Sequence, residues 1–156
     1  MLRAYSNVLA IIASSWTTNK EKEILKKGRS LNPMERMIAQ KIGIEELYNI
    51  RVLEVEEITY PFNFIFKIAS KFTTSIFLSP AGMALGKGIL VNKKYKLDLR
   101  LISHELVHVK QYQEFGGHIP FLKEYIFQCM EYGYNNCQLE LEADQFSNQP
   151  DLINIA

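Results

Sequence analysis

His104, Glu105 and His108 form a His-Glu-x-x-His sequence, and that spacing is chemically specific. On an α-helix, residues four apart lie about 40° from one another around the axis and roughly one turn along it. Two imidazoles so placed reach one metal ion. Glu105 lies on the flank of that face, where it can meet a metal-bound water without taking a coordination position. Zinc with two helical histidines and an adjacent glutamate is an arrangement that hydrolytic metal sites use. Two of the three histidines of the chain stand in this stretch, which favours a metal site over a pair of stray surface histidines.

The flanking residues predict the helix that must carry this pattern. Asp98 is a suitable N-cap, Leu99 to Phe115 contains no Gly or Pro, and Gly116-Gly117 ends the run. Leu99, Ile102, Leu106 and Val109 fall on one stripe at helical spacing. His104 and His108 fall roughly opposite, so an apolar face can anchor the helix while the imidazoles look into another space.

A catalytic zinc site needs a third protein ligand, with water in the fourth position. The extended pattern with a histidine six residues on is absent: Glu114 stands at that position and Gln111 where its glycine would be. His118 lies beyond Gly116-Gly117 and just before Pro120, and reads as a loop histidine. The segment Glu140-Leu141-Glu142-Ala143-Asp144 is the better source, on a helix that Asn135 or Asn136 can cap. Glu140 and Asp144 share a face, and Glu142 points about 200° from Glu140. Glu140 is therefore expected to bind the metal. Asp144 would accept a hydrogen bond from the free ring nitrogen of a metal-bound histidine, which fixes tautomer and ring orientation. Glu142 is the substitute ligand if the register differs.

On these residues the chain resembles the gluzincins, in particular the small minigluzincin kind. The resemblance covers roughly residues 80–147 and rests on His104-Glu105-x-x-His108 and on Glu140-x-x-Ala143-Asp144. Gly82 to Val91 also resembles the strand along the upper rim of a zincin cleft, which holds an extended peptide by backbone pairing. The resemblance implies a small α+β zincin-like fold, with a short sheet whose edge strand lies over a central His-Glu-x-x-His helix and a second ligand-bearing helix. It implies one zinc ion on His104, His108 and Glu140, Glu105 as general base, and hydrolysis of a peptide or protein substrate. Tyr125, Tyr132 and Tyr134 lie between the two motifs, and any of them could supply a phenol to the oxyanion. The large gluzincins add a helical domain that closes the cleft. This chain has little room for one, so a partner or lid could complete it. The rival reading is a non-catalytic zincin-fold module that binds metal or protein.

With 156 residues, 47% hydrophobic and 22% charged, the chain reads as one globular domain over 1–156, with 1–30 as a peripheral N-terminal segment. A formal net charge of +1 offers no global field for nucleic acid. Lys20 to Arg29, with five basic residues and two glutamates, reads as a solvated helix or loop, and Lys93 to Lys96 as a basic turn. No segment is long or apolar enough for a transmembrane helix. Val8 to Ala13 fits a docking helix better than a signal-peptide core, which slightly favours a cytoplasmic chain over a secreted one. Cys129 and Cys137 allow one disulfide without implying it, and Cys129 sits on an apolar stripe with Tyr125 and Ile126. The remaining pattern predicts helices over 3–15 and 31–48, the second entered at Asn32-Pro33 and interrupted or ended at Gly43. A strand is expected over 49–58 and another over 73–78. The rim strand and the metal helix follow, then a helix starting at Pro120. Phe62 to Ser70 reads as a helix or cleft wall, and Phe62, Phe64, Phe66, Phe72 and Phe77 as core.

Overall fold

Helix signals in this chain become helices with satisfied ends. Asn32 accepts a hydrogen bond from Glu35 N while the Glu35 carboxylate accepts from Asn32 N, a capping box, and Pro33 takes the first helical position. Gly43, at φ 86°, stops that helix in the left-handed conformation. Asp98 accepts from Arg100 N and Leu101 N and so starts the helix of the His-Glu-x-x-His motif. The computed structural model describes residues 1–59 and 80–149. In those residues the chain is an α+β fold of α1 (Leu2–Lys27), β1 (Arg29–Ser30), α2 (Pro33–Ile42), β2 (Arg51–Val55), β3 (Gly82–Leu85), β4 (Gly88–Asn92), α3 (Leu99–Glu114), α4 (His118–Tyr132) and α5 (Gln138–Ser147). The strand expected over 73–78, the Phe62–Ser70 segment and the aromatics from Phe62 to Phe77 lie outside the described residues.

The sheet has the order β1-β2-β4-β3. β2 and β4 are parallel, and the other two pairings are antiparallel. Side chains alternate between the two faces of a strand, and here each face finds its own helices. Val52, Ile89, Val91 and Ala84 share a core with Ile38, Ile42, Ile102, Leu106 and Val109 from α2 and α3. Leu53, Val55, Leu90, Leu85 and Met83 pack instead with Ile24 and Trp16 of α1. Every residue of β4 is consequently buried. A fully buried side chain such as Leu106 contributes about 1.5–3 kcal/mol, which pins α3 against the sheet. A third cluster joins Leu9, Ala10 and Ala13 of α1 to Phe121, Leu122 and Ile126 of α4.

The fold departs from the sequence expectations in three places. Residues 1–30 are not peripheral. α1 runs on to Lys27 because it buries one side along both α4 and the sheet. The stretch Gly82–Val91 is a hairpin rather than one rim strand, folded at Gly86, where φ is 63°. β3 is thereby the outer strand and β4 an inner one. The helix within 31–48 ends at Gly43, as expected, and Leu47–Asn49 forms a separate 3-10 turn. The later helices start at His118 rather than Pro120, and after Cys137 rather than after a capping Asn. No helix among the described residues is long and apolar enough to cross a membrane.

Glu21, from the basic stretch read as solvated, ties three of these elements together. Its carboxylate accepts from Lys87 N in the hairpin turn at 2.7 Å and meets His118 Nε2 at the start of α4 at 2.8 Å. Burial pushes its pKa up, but the His118 hydrogen bond and the Lys87 N–H outweigh this and hold it below the ordinary 4.5. A carboxylate with a lowered folded pKa stabilises at neutral pH and stops doing so as pH falls through that lowered value. Glu21→Ala is expected to cost about 2 kcal/mol in urea unfolding at neutral pH. The gap to wild type should be full above pH 4.5 and close as the medium is acidified. A gap independent of pH would show that the charge is irrelevant.

Candidate metal centre

α3 presents His104 and His108 to α5 because Ile102, Leu106 and Val109 on its other side are held in the sheet core. α5 meets α3 along Glu140, Ala143 and Ser147, three buried residues at helical spacing. Ala143 is fully buried, and its small side chain lets the two helices approach. Glu140 thus reaches the two imidazoles. His104 Nε2 and His108 Nε2 are 3.1 Å apart. The first lies 3.2 Å from Glu140 Oε2 and the second 3.4 Å from Glu140 Oε1. A tetrahedral ion with bonds of about 2.0–2.1 Å places its ligand atoms roughly 3.3 Å apart. His104, His108 and Glu140 are therefore compatible with one metal ion.

Hydrogen bonds behind the rings fix their protonation. His104 Nδ1 lies 3.0 Å from Asp144 Oδ1. A carboxylate only accepts, so that nitrogen carries the hydrogen. His108 Nδ1 lies 2.8 Å from Gln111 Oε1. The orientation of this amide is determined by its other end: Gln111 Nε2 donates to Leu139 O at 3.0 Å and to Glu142 Oε2 at 2.8 Å, both acceptors. Gln111 Oε1 must then accept from His108 Nδ1. With both Nδ1 atoms protonated, both Nε2 atoms of neutral rings turn lone pairs toward each other and toward a carboxylate. Only a cation at that point relieves the repulsion. In the metal-free chain a proton answers the same demand. Burial opposes charge on His108, yet the Glu140 hydrogen bond and the Glu140 and Glu105 charges push its pKa up to about 9.

Glu140 is itself buried and doubly held. Tyr125 Oη donates to Oε1 at 2.6 Å and Tyr134 Oη to Oε2 at 2.9 Å. Burial raises its pKa, but His104, His108 and Tyr125 outweigh this and keep the carboxylate well below its usual range. The Tyr125 ring packs edge-on to His108 and stacks with Phe121, so α4 walls the back of the site. Glu105 is 5% exposed. A Cβ built on Gly82 of β3 would come 2.7 Å from its Oε1, and the Ala84 main chain hydrogen-bonds to it. Burial dominates Glu105 and raises its pKa.

The structure thus brings His104, His108, Glu140, Asp144 and Glu105 to one place. Glu142 stays outside the triad and accepts from Gln111. His118 lies with Glu21, away from it. Tyr132 is exposed, while Tyr125 and Tyr134 reach the ligand carboxylate. Sequence reasoning overlooked Gln111. Its signal was a glutamine three residues after His108, on the same helical face. Comparison of the chain with protein-family models, curated proteins and solved structures gives no significant match.

Gln111→Leu removes the acceptor for His108 Nδ1 and both ties to α5. Competition with a zinc chelator should show an affinity about 10–100-fold lower, with helical content by circular dichroism unchanged. Equal affinity would mean that packing alone orients His108.

Proposed function

We propose that this chain is a zinc-dependent metallopeptidase of gluzincin type, close to the minigluzincins, with a zincin-like arrangement of its edge strand and two ligand helices. The observation that carries this reading is a buried, uncoordinated carboxylate, Glu105, lying between a two-His, one-Glu triad and the outer strand of the sheet. Two imidazoles and a carboxylate suit zinc, and three protein ligands leave a position for water. Zinc, when bound there, polarises a carbonyl and lowers the pKa of its water toward neutrality.

The residues of the chain divide the remaining work. Glu105, one residue after a ligand and desolvated against β3, takes the proton of the attacking water and delivers it to the leaving amine. β3 is outermost among the described strands, so its main chain is available to pair with an extended peptide beside Glu105. Asp144 and Gln111 hold the imidazoles in the tautomer that leaves Nε2 unprotonated. Tyr125 is buried and keeps Glu140 in place. Tyr134, 38% exposed, donates to Glu140 Oε2 and would have to release that hydrogen bond to reach a developing oxyanion.

Elemental analysis should find about one zinc per wild-type chain and a marked loss in Glu140→Ala. Glu105→Gln should keep its zinc and lose cleavage of a peptide library by at least ~100-fold. A folded wild type that refuses added zinc sinks the reading. Zinc uptake with no cleavage by wild type would leave a binding module in its place. A subtler probe is Gly82→Ala, which must displace Glu105 Oε1 from its 2.7 Å approach. It should lower kcat/KM about 100-fold at unchanged zinc content, and unimpaired turnover would separate Glu105 from the chemistry.

A further inference from the structure

The junction between α4 and α5 carries reactive groups that the metal centre does not use. Cys129 lies in the last turn of α4, and Cys137 immediately precedes α5. The chain between them is tightly closed. Gly133 N donates to Cys129 O, Asn136 N to Gly133 O and Cys137 N to Tyr134 O, each at 3.1 Å. Gln128, the neighbour of Cys129, places its Oε1 3.5 Å from Cys137 Sγ and 3.3 Å from Leu139 N. The start of α5 is thus folded back on the end of α4, and Cys129 and Cys137 belong to one apolar cluster. Both are free; Cys137 is fully buried and Cys129 half-buried.

The two sulfurs have unlike surroundings. Cys137 Sγ faces the N–H groups of Leu139 and Glu140 in the first turn of α5. Cys129 packs against the apolar α1–α4 cluster and also meets the Tyr125 hydroxyl. Tyr125 in turn donates to Glu140 Oε1, and Tyr134, inside the closed loop, donates to Glu140 Oε2. The thiol pair is therefore one contact away from each phenol that holds the ligand carboxylate.

We propose that Cys129 and Cys137 form a reversible dithiol–disulfide pair whose oxidation loosens the metal held by His104, His108 and Glu140. This rests on the metal-site reading above and adds a regulation to it. The oxidant is a small-molecule disulfide. Cys129, the more accessible sulfur, gives up its proton as it attacks and forms a mixed disulfide, releasing one small thiolate. Cys137 then attacks Cys129 Sγ, the S–S bond forms between the two cysteines, and a second small thiolate leaves. The released thiolates take up the two protons that the cysteines lost, so the pair is oxidised and the small disulfide reduced. An S–S bond of about 2.0 Å is much shorter than any non-bonded contact between two sulfurs. Forming it draws Cys129 away from Tyr125 and pulls the first turn of α5 toward α4. Glu140 sits in that turn, three residues after Cys137.

The test uses the full chain loaded with zinc and treated with oxidised glutathione. Intact mass should fall by two hydrogens. Zinc affinity, read by chelator competition, should weaken about tenfold, and dithiothreitol should restore both. Cys129→Ser and, as a second variant, Cys137→Ala should keep their zinc affinity under the same treatment. An unchanged wild-type mass, or glutathione adducts alone, would overturn the pair. A disulfide that forms without changing zinc affinity would overturn the coupling. A reduced chain that takes up no zinc would overturn the metal reading beneath it, an outcome told apart because the mass reports on the thiols without any metal.

Discussion

Two imidazole nitrogens 3.1 Å apart, both facing one buried carboxylate, are the constraint around which this molecule is arranged. Left to themselves, two lone pairs at that separation repel, and a carboxylate buried without partners costs several kcal/mol. The chain holds all three in place by supplying a partner on every other side. Asp144 and Gln111 take the outer ring nitrogens, and Tyr125 and Tyr134 take the carboxylate oxygens. What remains unsatisfied is the centre of the triangle, and it calls for positive charge. If the proposed zinc occupies it, the hydrogen-bonded shell has already borne much of the cost of organising the ligands before the ion arrives.

That shell needs two helices at fixed separation, and the layers of the fold supply it. α3 is held by apolar burial on the sheet, and α5 is held to α3 by Ala143, by Gln111 reaching Leu139 O, and by the Glu140 contacts themselves. α4 closes the back with aromatic rings, and α1 covers the other face of the sheet. Glu105 belongs to both halves of this arrangement. It sits on α3 beside His104 yet lies against β3, the strand at one edge of the described sheet.

Much of the site was legible because its information is local. Asp98, the apolar stripe from Leu99 to Val109 and the i, i+4 pairs His104–His108 and Glu140–Asp144 each depend only on helical periodicity. The parts that were not legible depend on distant neighbours. A glutamine at 111 looks like a surface residue until Leu139 O and Glu142 are known to lie beside it. Gly82 to Val91 reads as one strand because its apolar residues barely pause at Gly86-Lys87, and only pairing shows that it folds back. Glu21 sits among lysines and reads as solvated, although its partners are 66 and 97 residues away. Cys137 is not a typical capping residue, so the start of α5 was placed a residue or two too early.

Those separations bear on how the chain is made. α1 precedes every other described element in the chain, but Leu9, Ala10 and Ala13 are covered by residues of α4, and the Glu21 carboxylate finds His118 only when that helix begins. Contacts that span most of a chain form late, after the entropy of closing the loop has been met. During synthesis the part of α1 around Leu9, Ala10 and Ala13 therefore waits for its described cover until Phe121, Leu122 and Ile126 have been made. Its first interval of existence is the one in which the nascent chain is most exposed to chaperones and to its neighbours.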